Sequence, residues 1–212
     1  MKTAELIDRL SIAPSPPARF KPGRWILAAS VGGAAVAVAM LLAWLGLRPL
    51  GDAARAGSFW MKAGYGAALA LSGWALAARL ARPGGRAGWA PWLILAAISA
   101  LAVRAVIELS AAEPGHVPSL WLGDSWTQCP WRIFALSIPI LLAAVLAMRR
   151  AAPTRLALAG GAAGLFAGGV AAVIYGFYCE ETAATFTLCW YSLGIALAAG
   201  LGAALGPRFL RW

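Results

Sequence analysis

Three cysteines and a pair of adjacent glutamates are the residues of this chain best suited to chemistry. Cys179, Glu180 and Glu181 lie together in segment 175–194, which also contains Cys189. The segment is a polar, acidic interruption between two long apolar runs. Cysteine thiols form disulfides or bind soft metal ions. The two glutamates either tune such a site or are solvated turn residues, and both roles stay open.

Cys129 is the third cysteine, and His116 is the single histidine. Three cysteines allow three pairings and always leave one thiol over. The alternative is that each thiol is only a small buried hydrophobe. Because no Cys-x-x-Cys or His-x-x-x-His spacing is present, we assign no metal ligands and expect no resident cofactor. A transient soft ion such as zinc or cadmium, bound by Cys129 and Cys179 as a signal, stays open.

Arg104 and Glu108 form a second group of ionisable residues, near the end of the third apolar run. Residues four apart lie on one face of a helix, so the spacing predicts an ion pair between them. Ionisable residues inside an apolar run are costly and are functional candidates for that reason. A structural ion pair and a proton path through a small transporter are the two interpretations of this pair.

The elements that must position these residues are apolar helices. Hydrophobic residues make up 61% of the chain and charged residues only 12%. The apolar runs have the length that a helix needs to cross a hydrocarbon core of about 30 Å. The sequence therefore predicts an all-α, polytopic membrane protein with both termini in the cytoplasm. The predicted spans are 25–47, 59–80, 89–109, 131–148, 156–178 and 184–205.

The placement of the basic residues sets the predicted orientation. Most Lys and Arg residues fall in the N-terminal tail, in the second and fourth connections and at the C-terminus. Positive-inside topology puts these segments in the cytoplasm and all three cysteines on the outer side of a bacterial inner membrane, where disulfides are permitted. The net charge of +10 is thus explained without nucleic acid, for which no binding signature is present.

Residues 1–24 form a predicted cytoplasmic tail, separate from the transmembrane domain 25–212. A short amphipathic helix is expected near the start, followed by a spacer containing Pro14, Pro16 and Pro17. The tail is either frayed or a docking segment for a cytoplasmic partner. The residues that would contact such a partner are Glu5, Leu6, Ile7, Asp8, Arg9 and Leu10.

Glycine spacing predicts close packing of the last two spans. Gly160, Gly164 and Gly168 recur every four positions, as do Gly202 and Gly206. Small residues at this spacing let helix backbones approach each other.

No sequence motif of a hydrolase, kinase or dinucleotide-binding enzyme is present. We therefore predict that the chain is not an enzyme. A membrane thiol–disulfide oxidoreductase and a small transporter are the alternative functions.

Several motifs together resemble a known family, the bacterial "negative regulator of sigma F" proteins. They are the opening MKTAELIDRL, the sequence LGLRP at the end of the first span, Cys129 before the fourth span, YCEE at 178–181, LGIALAAGLGAALG at 193–206 and the closing FLRW. The resemblance covers essentially the whole chain. It implies a six-span membrane anti-sigma factor that acts in transcription regulation during a stress response.

The resemblance implies that the partner is an extracytoplasmic-function sigma factor, bound in the cytoplasm and released by heavy metal or oxidant. The sensor pair of the family maps onto Cys129 and Cys179, with Cys189, Glu180, Glu181 and His116 as accessory candidates. Two departures stand out. Trp190-Tyr191 replaces a Trp-His pair, which removes a candidate metal ligand, and Cys189 is an extra thiol.

Overall fold

The fold is entirely helical in the computed structural model, which describes residues 3–11, 21–46, 51 and 55–211. This confirms the all-α prediction for the described part of the chain. The proline spacer and the end of the LGLRP motif lie outside these residues. The helices are α1 (Thr3–Ser11), α2 (Pro22–Trp44), α3 (Gly57–Leu80), α4 (Ala90–Ala111), α5 (Val117–Leu122), α6 (Cys129–Met148), α7 (Leu156–Tyr175) and α8 (Ala184–Phe209).

The six long helices, α2, α3, α4, α6, α7 and α8, coincide with the predicted apolar spans. Five of them, all except α3, are long and apolar enough to cross a membrane by length and composition. α3 has 24 residues, but Lys62, Tyr65 and Ser72 are among those it buries. An interior helix can carry such residues because the bundle, rather than lipid, surrounds them. The sixth crossing stays a prediction.

Successive long helices run in opposite directions, so the bundle has two ends. The guanidinium of Arg150, just after α6, lies 5.7 Å from the ring of Trp25 at the start of α2. We call this the arginine end, which also carries Arg79 at the end of α3. The opposite end carries Cys129 and Cys179, and we call it the cysteine end.

α7 is the central helix of the bundle. In the most apolar 18-residue stretch of α7, 67% of the residues are buried. In the corresponding stretch of α4 only 11% are buried, so α4 is peripheral. α7 packs on α8 through glycines: a Cβ added at Gly160 would overlap the carbonyl oxygen of Gly202. The predicted close approach of the last two apolar helices is confirmed, and it depends on residues without side chains.

α1 confirms the helix expected near the N-terminus. Glu5, Ile7 and Asp8 have exposed side chains, and Ile7 is 61% exposed. The side chains of Leu6, Arg9 and Leu10 lie outside the described part of the structure.

α8 contains a π-helical turn, Thr187–Tyr191, near its start at the cysteine end. Such a turn inserts one extra residue and changes which side chains face inward, and π turns occur frequently at functional sites. Tyr191, at its last position, is fully buried, whereas Cys189 is half-buried.

Candidate functional site

Cys129 and Cys179 are brought together at the cysteine end, although they come from different parts of the chain. Cys129 is the first residue of α6, and Cys179 follows the turn that ends α7. Their exposures are 0% and 2%, and both thiols are free. The two thiols lie within electrostatic range of each other. The fold thus builds one buried dithiol site from two segments.

Two tyrosines enclose the thiols. The rings of Tyr175 and Tyr191 have centroids 5.8 Å apart, and both side chains are 0% exposed. Each hydroxyl lies within electrostatic range of Cys129 and Cys179. Neither hydroxyl has a hydrogen-bond partner within the described residues. Each nevertheless faces a polar group at looser geometry: the Tyr175 hydroxyl faces the Cys129 thiol and the Arg132 guanidinium, and the Tyr191 hydroxyl faces the Cys179 thiol. The two hydroxyls are therefore polar neighbours of the thiols.

Lys62 closes the site from the side of α3. Its side chain is fully buried, and its Nζ donates hydrogen bonds to the carbonyl oxygens of Cys179, at 2.8 Å, and Glu181, at 2.7 Å. Nζ also lies 5.9 Å from the centroid of the Tyr191 ring. A buried ammonium group requires such acceptors because leaving water is costly. The turn that carries Cys179 is therefore fixed to α3.

Glu181 fastens the same turn to the connection between α5 and α6. Its carboxylate oxygen accepts hydrogen bonds from the amide of Asp124, at 2.9 Å, and from the amide and hydroxyl of Ser125, at 3.1 and 3.0 Å. Gly123, which adopts φ +53°, brings the backbone against this carboxylate, where a Cβ would overlap it. Glu181 is thus a structural anchor of the turn rather than a solvated residue.

A cleft of about 610 Å³ opens at the cysteine end and leads to Cys179. Arg132 lies in its wall, where its Nη1 donates to the hydroxyl of Tyr178 at 3.3 Å and its guanidinium lies 5.2 Å from that ring. The cleft gives solutes a route to the dithiol site. Its lining residues are Leu45, Asp124, Ser125, Arg132, Tyr175, Tyr178, Cys179, Glu180, Glu181 and Thr182.

The predicted ion pair between Arg104 and Glu108 is not formed among the described residues. The Glu108 carboxylate instead accepts hydrogen bonds from the amides of Ala184, at 2.8 Å, and Thr185, at 3.2 Å. These amides belong to the first turn of α8, where backbone N–H groups have no partner in the helix and favour a negative charge. Arg104 is exposed and lines a groove between α3 and α4. The two residues therefore have separate roles.

The accessory candidates are spread over different places. Cys189 is half-buried and does not line the cleft, whereas Glu180 is exposed at its wall. His116 lies in an exposed turn, where its Nδ1 is 3.7 Å from the Glu113 carboxylate. Of the four accessory candidates, only Glu180 and Glu181 line the cleft next to Cys179.

Sequence reasoning missed Lys62, Tyr175 and Tyr191 as parts of the site. Lys62 falls inside the predicted span 59–80. An ionisable residue inside a span is a functional candidate, and that signal would have identified it. No comparable signal marks the tyrosines, because aromatic residues are common near span ends.

The site offers two thiols and two phenol hydroxyls to a reactant. No cluster of three or more His, Cys, Asp or Glu residues that could hold a metal ion occurs in the described part of the chain. A thiophilic ion would therefore have the two cysteines as its sulfur ligands. Alternatively, an oxidant can convert the pair to a disulfide with loss of two protons and two electrons.

Comparison with known proteins gives a consistent result over the whole chain. The family described as negative regulator of sigma F matches residues 10–212. The anti-sigma-F factor of Caulobacter vibrioides is 40% identical over 221 aligned residues, and the probable anti-sigma-F factor of Azospira oryzae is 39% identical over 220; both alignments cover all of each chain. No solved structure matches. The predicted resemblance is thus confirmed, and this chain belongs to the negative regulator of sigma F family.

Proposed function

We propose that this chain is an anti-sigma factor of the bacterial inner membrane, which holds an extracytoplasmic-function sigma factor inactive and releases it when Cys129 and Cys179 react. Family membership supports a sigma factor as the partner. The observation that carries the sensing role is the dithiol site itself. Two free thiols from segments far apart in sequence are buried together, next to two buried tyrosine hydroxyls and beside an open cleft.

The membrane orientation follows from the charges at the two ends of the bundle. Exposed arginines concentrate at the arginine end, which would face the cytoplasm. α2 begins and α8 finishes at this end, so both termini would be inside. α3 would cross the membrane in the interior of the bundle as the sixth span. The cleft would then open to the outer side, where oxidants and metal ions arrive.

α1 is the proposed docking element for the sigma factor. It is short, with an exposed Ile7 between the exposed acidic residues Glu5 and Asp8. A helix of this kind binds an apolar groove with one face and adds charge complementarity at the rim. Leu6, Arg9 and Leu10 are part of the same proposed surface.

The signal would be a change in the covalent or coordination state of the two thiols. With hydrogen peroxide, the pair loses two protons and two electrons and becomes a disulfide, while the peroxide becomes two waters. With a soft divalent ion, both thiols lose a proton and bind the metal. Either event pulls the start of α6 and the turn after α7 together.

The helix bundle would transmit this change to the arginine end. α7 and α8 are in backbone contact at Gly160 and Gly202, so a shift of the Cys179 turn moves both helices as a packed pair. An outside reaction can then favour one of two bundle states, and the states differ in affinity for the sigma factor. A coupling free energy of about 1–3 kcal/mol changes that affinity by about 5- to 150-fold.

Co-purification tests the partner assignment. The full chain, expressed with its cognate sigma factor and extracted in mild detergent, should retain the sigma factor. Deletion of residues 1–20 should abolish retention while leaving the membrane domain folded. The matched variant Ile7→Glu should weaken retention, and Ala4→Ser, a small change at another exposed position of α1, should not. Full retention after the deletion would refute docking through α1, and no retention by the intact chain would refute the anti-sigma function.

A further inference from the structure

Lys62 has contacts at the dithiol site that the proposed function does not use. It is a basic residue with a fully buried side chain, placed at the cysteine end between α3, the Cys179 turn and α8. Its ammonium group donates to two carbonyl oxygens of one turn, those of Cys179 and Glu181. Burying a charged lysine costs free energy, which well-placed hydrogen bonds of its ammonium group must offset.

The two hydrogen bonds lie on either side of Glu180 and therefore fix the backbone of the turn at two points. This fixes the direction of the Cys179 side chain, which faces the interior, where it is 2% exposed. The Cys129 thiol also lies within electrostatic range of the Lys62 ammonium. Lys62 thus contacts the turn that carries one thiol and acts electrostatically on the other.

We infer that Lys62 is the positioning residue of the dithiol site: it holds Cys179 opposite Cys129 so that the two react as a pair. The inference deepens the proposed sensing role and rests on it for its biological meaning. Its chemical content does not require a sigma factor. Among the described residues, the charged and titratable groups that face the thiols are Lys62 from α3, Tyr175 from α7, Glu181 from the turn and Tyr191 from α8. Arg132 from α6 lies next to Tyr175 and lines the same cleft as Cys179.

The position of Lys62 on α3 also connects the dithiol site mechanically to the arginine end of the bundle. α3 packs closely on α7, because a Cβ at Gly73 would overlap the backbone of Phe166 and one at Gly169 would overlap the backbone of Ala70. A movement of the turn therefore reaches α3 both directly, through Lys62, and through α7. α3 ends at the arginine end with Arg79 in its last turn.

The test uses the purified full-length chain in lipid nanodiscs, with all three cysteines present. Oxidation by hydrogen peroxide converts the thiols of Cys129 and Cys179 to a disulfide and the peroxide to two waters. The initial rate is measured by mass spectrometry of alkylated peptides. The alkylation rate of Cys189 in the same molecules reports global unfolding, because Cys189 lies outside the dithiol site.

Lys62→Met removes both hydrogen bonds while keeping a long side chain, and it should slow disulfide formation by about 10- to 100-fold, the effect of misplacing a reacting group. Lys62→Arg restores donors and charge and should recover most of the rate. The matched control, Arg104→Met, removes a basic residue from the outer half of the neighbouring helix and should leave the rate unchanged. Cys189 alkylation should stay constant in all four proteins.

An unchanged rate in Lys62→Met would overturn the inference, and so would the absence of a Cys129–Cys179 disulfide in the oxidised unsubstituted chain. If Lys62→Met does not fold, Lys62→Gln, which keeps an amide donor, must give an intermediate rate, and a rate equal to that of the unsubstituted chain overturns the inference. If serine at both cysteines leaves sigma release intact, the proposed function fails while the rate data still decide the role of Lys62.

Discussion

Glu108 on α4 accepts a hydrogen bond from the backbone amide of Ala184 at 2.8 Å, so a side chain of one helix caps the first turn of another. Thr185 adds its amide and its hydroxyl, at 3.2 and 3.4 Å, to the same carboxylate oxygen. α8 lacks a side-chain cap of its own at Ala183. Glu108 therefore supplies what the local sequence does not, and it joins the peripheral helix α4 to the end of the bundle that carries the cysteines.

Glu108→Ala should lower the free energy of unfolding by about 1–2 kcal/mol, which is the cost of losing a helix cap. Arg104→Ala, one turn earlier on α4, should change it by less than about 0.5 kcal/mol, as for an exposed substitution. Denaturant titration of the purified protein in detergent micelles measures both. Equal losses in the two variants would mean that the carboxylate works with Arg104 and not as a cap.

The predicted ion pair and the observed cap differ because the partner of Glu108 could not be predicted from the sequence. Helical spacing places Arg104 and Glu108 on one face of α4, and the helix itself was predicted correctly. The partner of Glu108, however, comes from the start of α8, and only the packed bundle brings the two together. Local periodicity determines which residues share a helix face but not which neighbouring helix offers unpaired amides.

The dithiol site, too, was predictable from the sequence only in part. Apolar runs and basic connections predict that Cys129 and Cys179 fall at the same end of the bundle, because each lies next to a span end. The burial of Lys62 against the carbonyls of the turn was not predicted, since it depends on the packing of α3 against α7 and α8. Tyr191 was noted only as the residue that replaces a histidine, whereas the π turn places it beside the thiols.

Glu181 anchors the Cys179 turn to residues 124 and 125, and its removal should open the cleft. Glu181→Ala loses the three hydrogen bonds to Asp124 and Ser125 and should raise the rate of Cys179 alkylation by a water-soluble maleimide several-fold. Glu180→Ala removes a neighbouring exposed carboxylate and should leave that rate unchanged. If both variants raise the rate equally, negative charge at the cleft, and not the anchor, controls access.

The contact between α7 and α8 should tolerate no side chain at Gly160. Gly160→Leu forces the backbones apart and should destabilise the bundle by about 1–3 kcal/mol or more, as overpacking does. Gly200→Leu, at an exposed glycine of α8 where an added Cβ meets nothing within 4 Å, is the matched control and should have little effect. Thermal unfolding in nanodiscs measures the difference, and equal stability of the two variants would contradict this packing.

The proposed orientation can be tested by labelling single cysteines. In a chain whose native cysteines are replaced by serine, Thr127→Cys lies in the connection before α6 and Arg86→Cys in the connection between α3 and α4; both positions are exposed. A membrane-impermeant maleimide added to intact spheroplasts should label the first variant and reach the second only after lysis. The reverse pattern would invert the topology and place the dithiol site in the cytoplasm.

The central claim is that reaction of Cys129 and Cys179 releases a sigma factor held by this chain, and the most direct measurement is the amount of sigma factor bound before and after oxidant or cadmium. Membranes carrying the complex are treated, washed and assayed for retained sigma factor. We expect loss of the sigma factor from the unsubstituted chain and from Cys189→Ser, and full retention by Cys129→Ser with Cys179→Ser. Equal release from all three proteins would contradict the account.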